Sequence, residues 1–169
     1  RQMCIRDSTR GSIDQAIAID EVKKFIAQQD LDAETRYIPK KVVPSLNGSF
    51  SEKVAIIGAG PAGLSCAFYL AEKGYSPVIF EKNEKPGGML RYGIPSFKLE
   101  KDVIDAEIDI IKAMGVEIKC GIEVGKDVTL DELRAQGYKA FYIAIGCQGG
   151  RKAGCLLYTS PSPRDRSLS

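Results

Sequence analysis

Histidine is absent from the 169 residues, which removes any imidazole base and any histidine metal ligand from consideration. Cysteine is sparse and scattered. Cys4, Cys66, Cys120, Cys147 and Cys155 contain no Cys-x-x-Cys pair, against a zinc site and against the paired spacing of a secreted disulfide framework. Long apolar runs are missing too: none approaches the ~20 residues that cross a bilayer, so no transmembrane helix and no membrane partner are expected. The opening RQMCIRDSTR has no apolar core of a secretory leader, and a reducing cytoplasm is the expected compartment. No internal repeat is visible. Charge of one sign is not in large excess either, with 24 Lys and Arg against 22 Asp and Glu.

The remaining net charge of +2 lies at the ends. Arg1, Arg6 and Asp7 contribute one positive charge, and Arg164, Asp165 and Arg166 another. Both ends differ in character from the rest. CLLYTSPSPRDRSLS, from Cys155 onward, turns abruptly to Ser, Pro and Arg with no hydrophobic period after Tyr158. It resembles translated sequencing-adapter read-through, as does MCIRDS at the start. Residues 1–8 and 155–169 are therefore expected to be adapter-like, the latter disordered, and residues 9–154 to be the natural segment. Between the ends the charge is balanced, so the pI of 8.3 does not point to a nucleic-acid partner.

What is present in abundance is glycine at meaningful places. KVAIIGAGPAGLSCAFYLAEKGYSPVIFEK, residues 53–82, reads as strand, tight turn, helix and second strand. The turn Gly58-Ala-Gly60-Pro-Ala-Gly63 has the GxGxxG spacing, and an acid, Glu81, ends the second strand. That order of parts grips a dinucleotide. Gly58 allows the sharp exit from the strand, Gly60 lets backbone N–H groups approach a pyrophosphate, and Gly63 lets the helix lie close to the sheet. Pro61 suits the first helical position, where its missing N–H is not needed. The helix N-terminus presents free N–H groups to phosphate. Glu81 can accept hydrogen bonds from ribose hydroxyls.

Elsewhere the pattern continues as an α/β chain. Residues 12–29 carry Ile13, Ala16, Ile17, Val22, Phe25 and Ile26 at near-helical spacing, predicting an amphipathic helix. Residues 30–52, with Pro39, Pro44 and Asn47-Gly48, predict an extended linker. Residues 82–95 must be a loop, and Gly87-Gly88 permits a close backbone pass beside a ligand. Val103, Ile104, Ile108, Ile111 and Met114 form the core stripe of a helix over 100–114, closed by Gly115. The carboxylates between Asp102 and Asp109 are expected to be its solvated face. A short strand over 116–120, a capping box at Thr129–Glu132 and a buried strand over 139–145 ending at Gly146 follow. Alternating strands and helices imply a parallel sheet.

These residues carry a resemblance. The fingerprint unit, PGGMLRYGIPSFKLEKDV, EVGKDVTLDELRAQGYKAFYIAIG and the leading RGSIDQAIAIDEVKKFIA resemble the glutamate synthase small-subunit family of FAD- and NAD(P)H-dependent oxidoreductases, which is also similar to the flavin part of dihydropyrimidine dehydrogenase. The resemblance implies an α/β, Rossmann-like FAD-binding parallel sheet over 53–154, incomplete here, preceded by a helix and extended linker over 9–52 that end an upstream iron–sulfur domain. It implies that Gly58, Gly60, Pro61, Ala62 and Gly63 line the pyrophosphate and that Glu81 binds the adenosine ribose. Lys82, Gly88 and Met89 fall along the flavin side, and Val124 at the backbone position that meets adenine. Ala144 and Gly146 belong to a second strand-end motif near the pyrophosphate. Lys98 occupies the family's basic position, with lysine in place of the planar arginine fork.

The NAD(P)H-binding domain, the C-terminal flavin motif and the cysteines of two [4Fe–4S] clusters are implied only for the full-length protein. No ligand role carries over to Cys4, and this chain alone is expected to be inactive. Electrons would pass from NAD(P)H through flavin to iron–sulfur centres, with a larger synthase or dehydrogenase subunit as partner. Flavin chemistry asks the protein for binding and orientation, and no catalytic acid, base or metal ligand is expected. A thiol reductase needs two cysteines beside the flavin, which the spacing does not supply; Cys66 reads as a small core residue. Two other readings stay open: a non-catalytic dinucleotide-binding module, and an NAD-dependent dehydrogenase, disfavoured by the lack of His or of a Tyr-x-x-x-Lys arrangement.

Overall fold

The computed structural model describes Arg10, Ile13, residues 15–42 and residues 50–147; both terminal segments expected to be adapter-like lie outside the described residues. Four strands, β1 (Lys53–Ile57), β2 (Ser76–Glu81), β3 (Glu117–Cys120) and β4 (Tyr138–Ile143), pair in parallel in the order β3-β2-β1-β4. Helix α1 (Ile19–Leu31) precedes them. Helix α2 (Pro61–Glu72) joins β1 to β2, α3 (Met89–Tyr92) and α4 (Lys101–Ala113) lie between β2 and β3, and α5 (Leu130–Ala135) leads into β4. At the C-terminal end of β1, Ile57 sits beside Phe80 on one side and Ile143 on the other.

The period of two along β1 divides the core between the sheet's faces. Ile56, with Ile79, packs under α2 and α4 against Leu64, Ala67, Ala71, Ile104 and Ile108. Ala55 and Phe80 meet Leu133 and Tyr138 on the opposite face. Burying a side chain such as Ile108, 2% exposed, contributes about 1.5–3 kcal/mol. The expected stripe of α4 therefore is core, and Gly115, at φ +98°, closes the helix.

The capping box holds. Glu132 N–H donates to Thr129 Oγ1 at 3.2 Å, and Thr129 N–H donates back to Glu132 Oε2 at 2.7 Å. The backbone and hydroxyl bonds from Thr129 lower the Glu132 pKa. A lowered carboxylate pKa makes the cap's charge-dependent contribution complete above the ordinary glutamate range and lost as pH falls through the lowered value. Thr129→Ala is expected to cost about 1 kcal/mol, measured by urea unfolding at neutral pH, with the difference between the two proteins shrinking in acid.

Three expectations need correction. The first helix runs Ile19–Leu31, so Ile13, Ala16 and Ile17 precede it. It begins where Asp20 and Glu21 place negative charge in the first turn, which the helix dipole favours. Its stripe is uncovered by described residues, with Val22, Phe25 and Ile26 all exposed. Second, β4 is not a buried strand. Among the described residues it borders the sheet, and only Tyr138 within it is buried. Third, the stretch 82–95 is not loop throughout, since it carries the one-turn helix α3. The carboxylates of α4 largely face solvent as expected, and two of them also pair, Asp105 with Arg91 and Glu107 with Arg36. Arg36 also donates to Asp30 and to the Ala106 carbonyl, tying the segment after α1 to α4. These two carboxylate bonds raise the Arg36 pKa, with Asp30 the larger cause.

Candidate dinucleotide-binding site

The C-terminal ends of the strands open into a cleft of about 840 Å³, within the range of small-molecule sites. Ile57 to Ala62, with the exception of Ala59, form its floor, Phe80 to Asn83 one wall, and Ile143 to Cys147 another. Gly88 and Met89 close it from the loop, and Ile122, Glu123 and Val124 from beyond β3. The parallel order produces this arrangement, because every strand delivers its C-terminus to the same edge.

The glycines of the turn do different jobs. Gly58 has φ +106°, and a Cβ on it would overlap the Ala144 carbonyl, lying 2.9 Å from its carbon. That close pass joins the turn to the chain leaving β4, and Ala144 N–H donates to the Ile57 carbonyl at 2.8 Å. A Cβ on Gly63 would overlap the Gly58 carbonyl oxygen, so Gly63 is the contact that lets α2 rest on the turn. Gly60 differs from both. Its φ is −77°, and a Cβ there would find its nearest heavy atom, Gly88 Cα, 4.0 Å away. Neither backbone angle nor protein packing calls for glycine at 60. Its N–H borders the N-terminus of α2, where Pro61 fills the first position.

The loop after β2 folds back over this turn. Gly87 N–H donates to the Ala59 carbonyl at 2.8 Å. Gly88, at φ +52°, approaches so closely that a Cβ would come within 2.7 Å of Gly60 Cα.

Glu81 is 4% exposed and is the buried charged residue among the described ones. Its Oε2 accepts from Ala59 N–H at 2.6 Å. Its Oε1 accepts from Asn83 N–H at 2.9 Å and from Asn83 Nδ2 at 2.7 Å. A carboxylate has about four acceptor positions, so three protein donors leave one for a ligand hydroxyl.

Of the residues expected at the site, Gly58, Gly60, Pro61, Ala62, Glu81, Lys82, Gly88, Met89, Val124, Ala144 and Gly146 line the cleft. Gly63 lies beneath it as a packing contact. Lys98 is not brought in: it is exposed, in a turn where its N–H bonds the Pro95 carbonyl at 2.9 Å. Gly146 has nothing within 4 Å of a built Cβ, so its glycine answers to φ +70° rather than to close packing. Sequence reasoning missed Asn83, Glu123 and Cys147. Asn83 was findable, as a short polar residue two positions beyond the acid. Burial raises the pKa of the Cys66 thiol, and burial with the Glu81 charge raises that of Cys120, so both are weak nucleophiles at neutral pH. Among the described residues, no three or more Cys, Asp or Glu side chains group as metal ligands, and no helix is long and apolar enough to cross a membrane.

A parallel sheet, a glycine turn at a helix N-terminus and a buried acid at the next strand's end define a Rossmann-like dinucleotide-binding domain. The NAD(P)-binding Rossmann-like domain family matches residues 56–114. Over most of its length the chain is homologous to subunits of NAD(P)-dependent oxidoreductases, the glutamate synthase small chain among them. The NAD-dependent dihydropyrimidine dehydrogenase subunit PreT of Salmonella typhimurium is 42% identical over 95% of this chain and 37% of its own length. The glutamate synthase [NADPH] small chain of Escherichia coli is 36% identical over 90% of this chain and 31% of its own. The beta subunit of the NADP(+)-dependent formate dehydrogenase of Moorella thermoacetica is 38% identical over 89% and 24%. The chain thus spans 24–37% of the length of these relatives. In fold it is similar to Mycobacterium tuberculosis FprA in complex with NADPH, with a TM-score of 0.54 at 22% identity, covering 61% of this chain and 24% of that one.

Proposed function

We propose that the cleft is the FAD site of an NAD(P)H-dependent oxidoreductase, which in its full-length form passes electrons through flavin to [4Fe–4S] centres. The observation that carries this is Gly60: a residue whose own fold does not require glycine, at the helix N-terminus where a pyrophosphate needs the backbone bare. The remaining parts fit the same ligand. Glu81 offers its free acceptor position to the adenosine ribose, Val124 borders the adenine end, and Gly88 and Met89 bound the flavin side. Bound there, FAD would supply the step between two-electron hydride chemistry and one-electron transfer. The chain's residues bind and orient, and none is assigned a proton.

The homology to oxidoreductase subunits supports a larger synthase or dehydrogenase partner, and a cytoplasmic setting belongs to the same proposal. On this reading residues 53–154 are part of an FAD domain, residues 9–52 end an upstream iron–sulfur domain, and residues 1–8 and 155–169 are adapter-derived. The family match favours a second reading, a nicotinamide dinucleotide in the same cleft. Buried Glu81 disfavours the 2′-phosphate of NADPH, since a carboxylate facing a phosphate is repelled, which leaves FAD or NAD(H).

Titration of the chain with FAD, NADH and NADPH decides between them. Retained flavin absorbing near ~450 nm is expected, together with slowed alkylation of Cys147, which lines the cleft and is exposed. Peptide mass spectrometry separates Cys147 from the other thiols. Protection by NADH with no retention of FAD would overturn the flavin assignment.

A further inference from the structure

Gly87 and Gly88 have φ of +122° and +52°, and two successive glycines give this loop more backbone freedom than any other pair of residues would. Yet the loop must stay against Gly60 to bound the phosphate turn. The nearest restraint is Arg91. Its side chain is only 8% exposed, and its Nε donates to the carbonyl of Pro86, the residue immediately before the glycines, at 2.7 Å. Its Nη2 forms an ion pair with Asp105 on α4. The same guanidinium thus reaches from the loop's first carbonyl to a helix whose inner face is fixed in the core through Ile104 and Ile108. A Cβ on Gly87 would touch Arg91 Cβ and Ile104 Cγ2, each at 3.2 Å, so the loop is packed on this pair as well as bonded to it. Lys101, one turn before Asp105 on α4, donates from Nζ to the carbonyls of Ile94 at 2.6 Å and Leu90 at 3.2 Å. Those bonds satisfy carbonyls around α3, a four-residue helix too short to be stable unaided.

We propose that Arg91 is a positioning residue for the cofactor. Resting on the FAD reading above, it holds the Pro86–Gly88 turn against Gly60 through Pro86 O and Asp105, so that the phosphate wall exists before the ligand arrives. The planar fork is essential because two acceptors in different directions must be met at once. A lysine ammonium keeps the charge but not the fork. Pre-ordering the loop removes an entropy cost that binding would otherwise carry.

The test uses the whole chain in three forms: parent, Arg91→Met and Arg91→Lys. Two readouts are taken: amide hydrogen exchange without ligand, and FAD affinity by flavin fluorescence. In Arg91→Met, exchange at Gly87 and Leu90, whose N–H groups are bonded to Ala59 O and Gly87 O, is expected to rise about tenfold, and FAD affinity to fall about tenfold. Amides of β1 and β2 should exchange as in the parent. Arg91→Lys should move both readouts the same way, since it loses the Pro86 bond. If Arg91→Met does not fold, Asp105→Asn at a half-exposed position gives the same comparison with a smaller change. Variants that bind FAD like the parent overturn the positioning role while leaving the FAD site standing. A uniform rise in exchange through the sheet also overturns it, by making Arg91 a general fold contact. A parent chain that fails to bind FAD refutes the functional reading itself.

Discussion

Gly63→Ala is expected to lose a large part of the chain's stability, whereas Gly60→Ala, three residues away in the same motif, keeps its fold and loses FAD. The Cβ added at 63 would overlap Gly58 O and stand 3.1 Å from Gly58 C and 3.3 Å from Ile56 Cγ2. The overlap is with backbone, which cannot rotate away, so α2 must lift from the turn. Overpacking of this kind costs about 3 kcal/mol, a large part of the roughly 5–15 kcal/mol typical of a domain, and should lower the thermal midpoint by ~10 °C. At 60 the added methyl meets no protein atom closer than 4.0 Å, and the residue already has an ordinary φ. The midpoint should move by no more than a few degrees while FAD affinity drops about tenfold or more, because the methyl occupies the space a pyrophosphate oxygen would use. Thermal melts with and without FAD read both effects. Equal loss of stability in the two variants would refute the separation of roles.

The second large effect is expected from Glu81→Gln. The exchange preserves shape but puts an amide NH2 where one carboxylate oxygen accepts. Ala59 N–H addresses one oxygen, and Asn83 N–H and Nδ2 address the other, so either orientation of the amide sets donor against donor. A buried donor left without an acceptor costs about 1–3 kcal/mol. FAD affinity should fall by about tenfold or more as well, since a ribose hydroxyl bonds a carboxylate more strongly than an amide. Urea unfolding and flavin titration measure the two losses. Affinity unchanged in a stably folded Glu81→Gln variant would show that Glu81 serves the turn alone.

Much of this was legible from sequence where local chemistry and packing agree. The fingerprint's glycines, Pro61, the capping box at Thr129 and the stripe of α4 each state a local requirement, and the sheet supplies the context they need. The failures come where a side chain's surroundings are set by remote elements. KAFYIAI is apolar enough for a central strand, but burial depends on what lies beside it, and β4 borders the sheet. The stripe of α1 signals helix yet cannot say what covers it. The ion pairs of Asp105 and Glu107 were not legible, because Arg91 and Arg36 lie apart from them in sequence. Motif alignment puts Lys98 at the cleft, and the turn from Pro95 keeps it outside.

The pairing of β4 with β1 has a consequence for how the site comes into being. β1, α2 and β2 are sequential neighbours, and their association closes only a short loop. The pairing of Ile57 with Ile143 spans the longest loop in the sheet, the most entropically demanding of its closures. Contacts of that sequence separation slow folding. Because the turn at Gly58 leans on Ala144, the cleft is complete only when this pairing has formed. Ligand binding therefore registers completion of the topology, and a chain with only its first βαβ unit in place has the motif without the site.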